Sequence, residues 1–370
     1  MRKDGLVERD KSERVPPKDV VLRQEADLAE GCVEFWLGRC LRGPVDHRGS
    51  GPQHVALLSA LDERLRAGVD GGDPDALLDV HRSAYAIYEM LIGHPLSPAA
   101  RHERSEWLNR FRATFEERVL AADLAEVAAA LPGTADATRP EYVRDWFLAE
   151  AKQRSTLDAT VEDYFAERAT VEQLAQFIQA DGYLNYRFYD AIVLTQPHFM
   201  ESVKNEISHH VWDEAGEGDL QRAHTLQFFR SLEKFGLELP TIPVWEDWRA
   251  YAGHNLYFLL GCNRRQLFKA LGSLTMPELF DVDRDEAVVR GMRRLGFAPE
   301  VDFEFFVNHM EGDADHGPDW LEKVVLPVVR AEPEAGLELM AGGALRMLAM
   351  RRYNEYLATN ICRIDIGSPA

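Results

Sequence analysis

From residue 25 onward, apolar positions recur every three or four residues in EADLAEGCVEFWLGRCL, QHVALLSALDERLRAG, PDALLDVHRSAYAIYEMLIG and RHERSEWLNRFRATFEERVLAADLAEVAAAL. That spacing predicts helices that bury one face. The separators GPVDHRGSGP and GVDGGDP are rich in glycine and proline and read as loops. A break at LPGTADATRPEYV precedes a helix expected from about Pro140 to Arg154.

The amphipathic pattern resumes in TVEDYFAERATVEQLAQFIQADGYLNYRFYDAIVLTQ. It continues through DLQRAHTLQFFRSLEKFG, HNLYFLLGCNRRQLFKALGSLTMPELF, RDEAVVRGMRRLG, VDFEFFVNHM, WLEKVVLPVVRAEP and AGLELMAGGALRMLAMRRYNEYLATNI. Sustained alternation of period two is almost absent, so an all-α fold is expected. The polar opening with its Pro-Pro pair reads as a flexible lead-in over residues 1–18. An N-terminal helical region over 19–154 and a second helical domain over 155–370 follow.

Composition narrows the class. In 370 residues, 46% hydrophobic content with seven tryptophans and eighteen phenylalanines suffices for a sizeable core. A net charge of -20, with no long basic stretch, argues against a nucleic-acid partner. Four scattered cysteines, Cys32, Cys40, Cys262 and Cys362, do not suggest a disulfide scaffold and fit a reducing cytoplasm. Neither a secretion signal nor a run of twenty apolar residues is evident, so a protein without a membrane partner is expected.

Candidate chemistry begins with FFVNHMEGDADHGPDW. On an ideal helix His309, Asp313 and His316 are positions i, i+4 and i+7, at 0°, about 40° and about -20° around the axis. They share a face, whereas Asp315 does not. The outer pair is separated by a rise of roughly 10 Å, long for one metal ion but suited to two. Gly312 and Gly317-Pro318 are expected to distort the helix there; a charged turn with surface histidines is the competing reading.

In VKNEISHHVWDEAGEGDLQRAHTLQFF, Glu214 precedes a glycine-rich break, and Asp219 is expected to cap the helix carrying His224. His224 adjoins an apolar run and reads equally as a ligand or a satisfied core histidine. Glu206 and His210 share the four-residue spacing of Glu214, but surface ion pairing explains them more simply; His209 is less constrained still. Glu278, among leucine, methionine and phenylalanine, is costly to bury unless it is paired or metal-bound. Pro277 before it offers the alternative of a glutamate at a helix N-terminus.

The order of these segments resembles the haem-oxygenase-like diiron oxidase and oxygenase superfamily over roughly residues 160–360. Glu214 and His224 match its glutamate, glycine-punctuated turn and histidine; Glu278 matches its distant glutamate; His309, Asp313 and His316 match its His-x3-Asp-x2-His. The resemblance implies a seven-helix core, these six residues as metal ligands and catalytic groups, two Fe(II) ions, O2 as co-substrate and an external reductant for multiple turnover. It also implies a third ligand helix poorly ordered before metal binds. Some N-oxygenating members carry a further carboxylate, for which Glu206 and Asp190 are the candidates.

The N-terminal helices resemble the accessory region preceding the diiron domain in some nitrosourea-forming N-oxygenases, which implies a homodimer. No cupin-like segment is recognised after the last predicted helix. The expected activity is N-oxygenation of an amine or guanidine on a small amino-acid-derived substrate, with a redox partner. Tyr257, Arg264, Arg346, Arg352, Tyr353 and Tyr356 are candidates to position it. The alternatives are a diiron desaturase or C–C cleaving oxidase, a metal-independent oxidase and a nonenzymatic metal-binding or interaction module.

Overall fold

The computed structural model describes residues 22–153, 155–280 and 282–365, with the side chains of residues 282 and 311–316 also outside the description. The lead-in expected over 1–18 therefore lies outside the described residues. All regular structure among the described residues is helical.

The N-terminal region contributes α1 (Val33–Arg42), α2 (Pro52–Leu65), α3 (Pro74–Ile92) and α4 (Glu106–Val127). After a break comes α5 (Pro140–Ala151), which begins on its proline as expected and ends a few residues early. Next are α6 (Thr156–Glu167) and α7 (Val171–Thr195), each opened by a reciprocal capping box, Ser155 with Asp158 and Thr170 with Gln173. Such caps satisfy two otherwise orphaned backbone N–H groups at the helix start.

The remaining principal helices are α8 (Glu201–Glu214), α9 (His224–Lys234), α10 (Trp248–Gly261), α11 (Leu267–Phe280), α12 (Val282–Arg294), α13 (Glu304–Trp320) and α14 (Ala335–Tyr356). The segment from His254 to Phe280 divides at Cys262 and Asn263, and Asn263 accepts from Arg265 N to start a short turn. Helix α13 leads through a wider turn, Leu321–Val325, into Leu326–Ala331.

Helices α10 and α11 are buried along almost every face. Their sequences are apolar all round, which is the pattern of a central helix. α11 runs along α14, while α10 lies between α14 and α3. One hydrophobic cluster consequently passes from Leu37, Leu61 and Phe111 to Phe258, Leu271 and Leu345. A second, richer in aromatic rings, gathers Phe165, Phe177, Phe228, Trp245, Met292 and Phe306.

Polar ties also cross between the regions: Arg187 Nη2 to Glu89 Oε2 at 2.6 Å and Arg352 Nη2 to Asp123 Oδ1 at 2.8 Å. Burying one phenylalanine contributes about 1.5–3 kcal/mol, whereas in these largely buried ion pairs the cost of removing both charges from water offsets much of their attraction. The aromatic core therefore dominates cohesion, and the ion pairs set how the helices align.

Candidate metal centre

Six helices supply the walls of one cavity. Asp181, Leu184, Asn185 and Phe188 come from α7, Glu214 from α8 and Tyr257 from α10. Pro277 and Glu278 come from α11, Arg284 and Asp285 from α12, and Phe305 and His309 from α13.

At its edge, one oxygen or nitrogen atom each from Glu214, His224 and His309 lies within 4.8 Å of the others. These residues sit on three different helices. The turn from α8 to α9 makes the first two meet: Gly216 adopts φ +85°, and a Cβ there would stand 2.3 Å from Asp219 O. Only glycine enters that conformation at little cost. Asp219 caps the short turn Leu220–Arg222, not α9 as expected, so His224 itself opens α9.

The local bonding suits ligation. His309 Nδ1 is 2.8 Å from Phe305 O, so it donates to that carbonyl and leaves the Nε2 lone pair for a ligand. Metal-bound histidines commonly fix their tautomer in this way. His224 Nδ1 lies 3.1 Å from Glu214 Oε2. Burial works to raise the Glu214 pKa, but the facing His224 and His210 outweigh it and hold the carboxyl well below its usual range. A carboxylate and two imidazoles suit iron, manganese or zinc, and this cluster supports a metal cofactor in general.

Glu278 joins the group through a residue read as surface from the sequence. His210 is buried, and its Nε2 stands 3.5 Å from Glu278 Oε1 and 3.8 Å from Glu214 Oε1. The simpler ion-pair explanation is therefore incorrect for His210. It holds for Glu206, which pairs with Lys323 Nζ at 3.5 Å. Glu278 lies near the C-terminal end of α11 with Pro277 inside the helix, which removes its N-terminal alternative. Asp313 and His316 have side chains outside the described residues. Their backbone belongs to a continuous α13 that runs through Gly312 and Gly317-Pro318, so the expected distortion there is absent and the wider turn comes later.

The remaining candidates separate. Asp190 pairs with Arg187 Nη1 at 2.9 Å. Tyr257 lines the cavity, and both Arg346 and Tyr353 line an inner cavity beside it. Arg264 is exposed on a surface turn. Arg352 is held by Asp123 and Glu126 and lies over Trp248, and Tyr356 packs in the aromatic cluster. Those three are structural or surface residues. Asp181 and Asn185 were missed, although an aspartate within the apolar stripe of α7 is a signal legible in the sequence.

Among the described residues the fold is all-α and multi-helical, consistent with a haem-oxygenase-like helical core plus additional N-terminal helices. Residues 176–352, a little under half of the chain, match a family described as iron-containing redox enzymes. A nitrosourea synthase from Streptomyces achromogenes subsp. streptozoticus is 31% identical over 123 residues, 33% of this chain and 26% of that protein. The match thus spans about a quarter of that relative's length. Among solved structures, a CADD-like protein of unknown function from Nostoc punctiforme superposes with a TM-score of 0.50 at 18% identity, over 60% of this chain and 98% of that one. At that identity the likeness concerns the fold. Among the described residues no helix is long and apolar enough to cross a membrane.

Proposed function

We propose that the chain is an O2-dependent nonhaem diiron oxidoreductase that N-oxygenates an amine or guanidine nitrogen of a small, amino-acid-derived substrate. The observation that carries this reading is the convergence of Glu214, His224 and His309 at the wall of a cavity that Glu278 also lines. The match to iron-containing redox enzymes and the partial likeness to a nitrosourea synthase support it.

In this reading Glu214, His224 and His309 would hold iron, with Glu278, Asp313 and His316 completing the ligand set. Bound iron would supply the electrons for O2 reduction, with an external reductant restoring them between turnovers. Phe188 and Phe305 give the cavity apolar surface that limits water, and Glu214 supplies negative charge that offsets the ions. His309 is held in one tautomer by Phe305 O, so its ligating nitrogen needs no proton rearrangement. The homodimer, the redox partner, the cytoplasmic setting and the division near residue 154 belong to the same proposal.

Anaerobic loading with ferrous iron, followed by mixing with O2 in the presence of candidate amines and guanidines, tests it. Close to two irons per chain and amine-dependent O2 consumption with an N-oxygenated product are expected. Failure to retain iron, or O2 uptake indifferent to every amine, would overturn the reading. An alkene or a cleaved carbon chain as product would leave the diiron site standing and replace the N-oxygenase assignment.

A further inference from the structure

Two stripes run along α14 and face different spaces. Arg346, Ala349, Met350 and Tyr353, at i, i+3, i+4 and i+7, border the inner cavity, of about 40 Å3. Ala344, Met347, Leu348 and Arg351 repeat that spacing on another side of the helix and border a groove of about 310 Å3. Met350 borders both spaces. It is the member of the inner stripe nearest the groove, about 60° around the axis from Met347.

Helix α11, which runs along α14, makes the same crossing. Its Pro277 borders the inner cavity, and Phe280, three residues on, borders the groove. The inner cavity in turn shares Leu184, Tyr257 and Pro277 with the cavity that holds Glu214 and His309. Two helices thus carry lining residues from the groove inward, and the three spaces follow one another in order.

The groove opens to solvent. Ala130 and Arg351 on its walls are exposed, Met350 is half-buried, and Ala349 beside it is buried. Glu126 of α4 and Glu150 of α5 supply the opposite side, so the N-terminal region completes the mouth. Arg351 and Arg352 both pair with Glu126, which ties α4 to α14 there. We infer that this groove is the substrate's entrance and that Met350 is a specificity-determining residue, setting the width of molecule that passes to the inner cavity and on toward Glu214 and His309.

The sizes support that division of labour. Sites for small molecules typically span about 300–1,000 Å3, so the groove can receive one whole. One water occupies about 10–15 Å3 on this measure, so the inner cavity has room for roughly three or four small atoms. A narrow, unbranched end enters there, and anything wider needs Met350 to turn aside. Methionine, unbranched with three rotatable side-chain bonds, can do so. This inference deepens the proposed function and rests on it for treating the entering molecule as the substrate.

The test places a thiol in the inner cavity, as Ala349→Cys in the metal-free full-length chain, and follows its capture by methyl and benzyl methanethiosulfonate. Mass spectrometry of the peptide bearing residue 349 gives each rate, normalised to the same thiol in urea. Both reagents react with the same thiolate, so the ratio of their rates reads size. With Met350 in place the methyl reagent is expected to lead by about tenfold or more; Met350→Ala is expected to narrow that lead by raising the benzyl rate, and Met350→Trp to slow both reagents about tenfold. Rates indifferent to both substitutions, or no capture in any background, would overturn the inference. So would equal normalised rates with Met350 in place, which mark exposure by unfolding. Should Met350→Trp not fold, Met350→Ala decides alone, and an unchanged benzyl rate there overturns the inference. Capture controlled by Met350 in a chain that retains no iron would sink only the diiron reading, and iron retention with capture indifferent to Met350 only this one.

Discussion

The His210 imidazole stands within reach of two carboxylates, Glu214 and Glu278, that come from different helices. Its edge-on contact with Trp320, at 5.2 Å between ring centres, holds the ring in place. Placed between the two buried acidic groups, it can orient both. Groups that orient metal ligands typically alter affinity by about 10–100-fold when removed. His210→Gln is therefore expected to weaken ferrous-iron binding by about tenfold or more in anaerobic titrations, while the helical circular dichroism stays unchanged. The stripe of Glu206, His210 and Glu214 is legible in the sequence. That His210 turns inward while Glu206 meets Lys323 is not, because Glu278 and Lys323 arrive from distant segments.

At the level of elements, the close approach of α13 to α11 constrains the centre. A Cβ on Gly317 would stand 2.5 Å from the Glu278 carbonyl oxygen and 2.8 Å from Leu279 Cδ2. The Gly317-Pro318 pair, which reads as a helix boundary in the sequence, instead lies inside α13. Glycine here lets the helix carrying His309 lie against the backbone of Glu278. Alanine would gain about 1 kcal/mol of helix propensity, whereas overpacking typically costs about 1–3 kcal/mol. The struck atom belongs to backbone that cannot swing aside, so the steric cost wins. Gly317→Ala is expected to lower the urea midpoint and to weaken iron binding together; a raised midpoint would contradict this packing account.

Over the whole molecule, the N-terminal helices and the later ones share a core, and their junction carries buried histidines. His81 on α3 accepts or donates toward Asn255 of α10 and lies beside Trp248, and burial, with a smaller effect from the Arg352 charge, pushes its pKa down to about 3. Unfolded, the same imidazole titrates near 6.5. Between those values the unfolded chain binds a proton that the fold refuses, so this contribution to stability is complete above the unfolded value and is lost as pH falls toward about 3. Urea midpoints measured between about pH 7 and about pH 5 are expected to fall, and His81→Leu to fall less steeply over the same range. The all-helical class and most helices were legible in the sequence, because 3.6-residue periodicity is a local property; Glu214, His224, Glu278 and His309 stood there as candidates that local pattern left open and that only the family resemblance joined into one set. Only the tertiary structure decided that His210 joins two carboxylates, that Arg264, Arg352 and Tyr356 lie apart from the cavity, and that Asp181 faces into it. Those outcomes depend on which distant segment packs against each residue, and periodicity along one helix names a buried face without naming what that face meets.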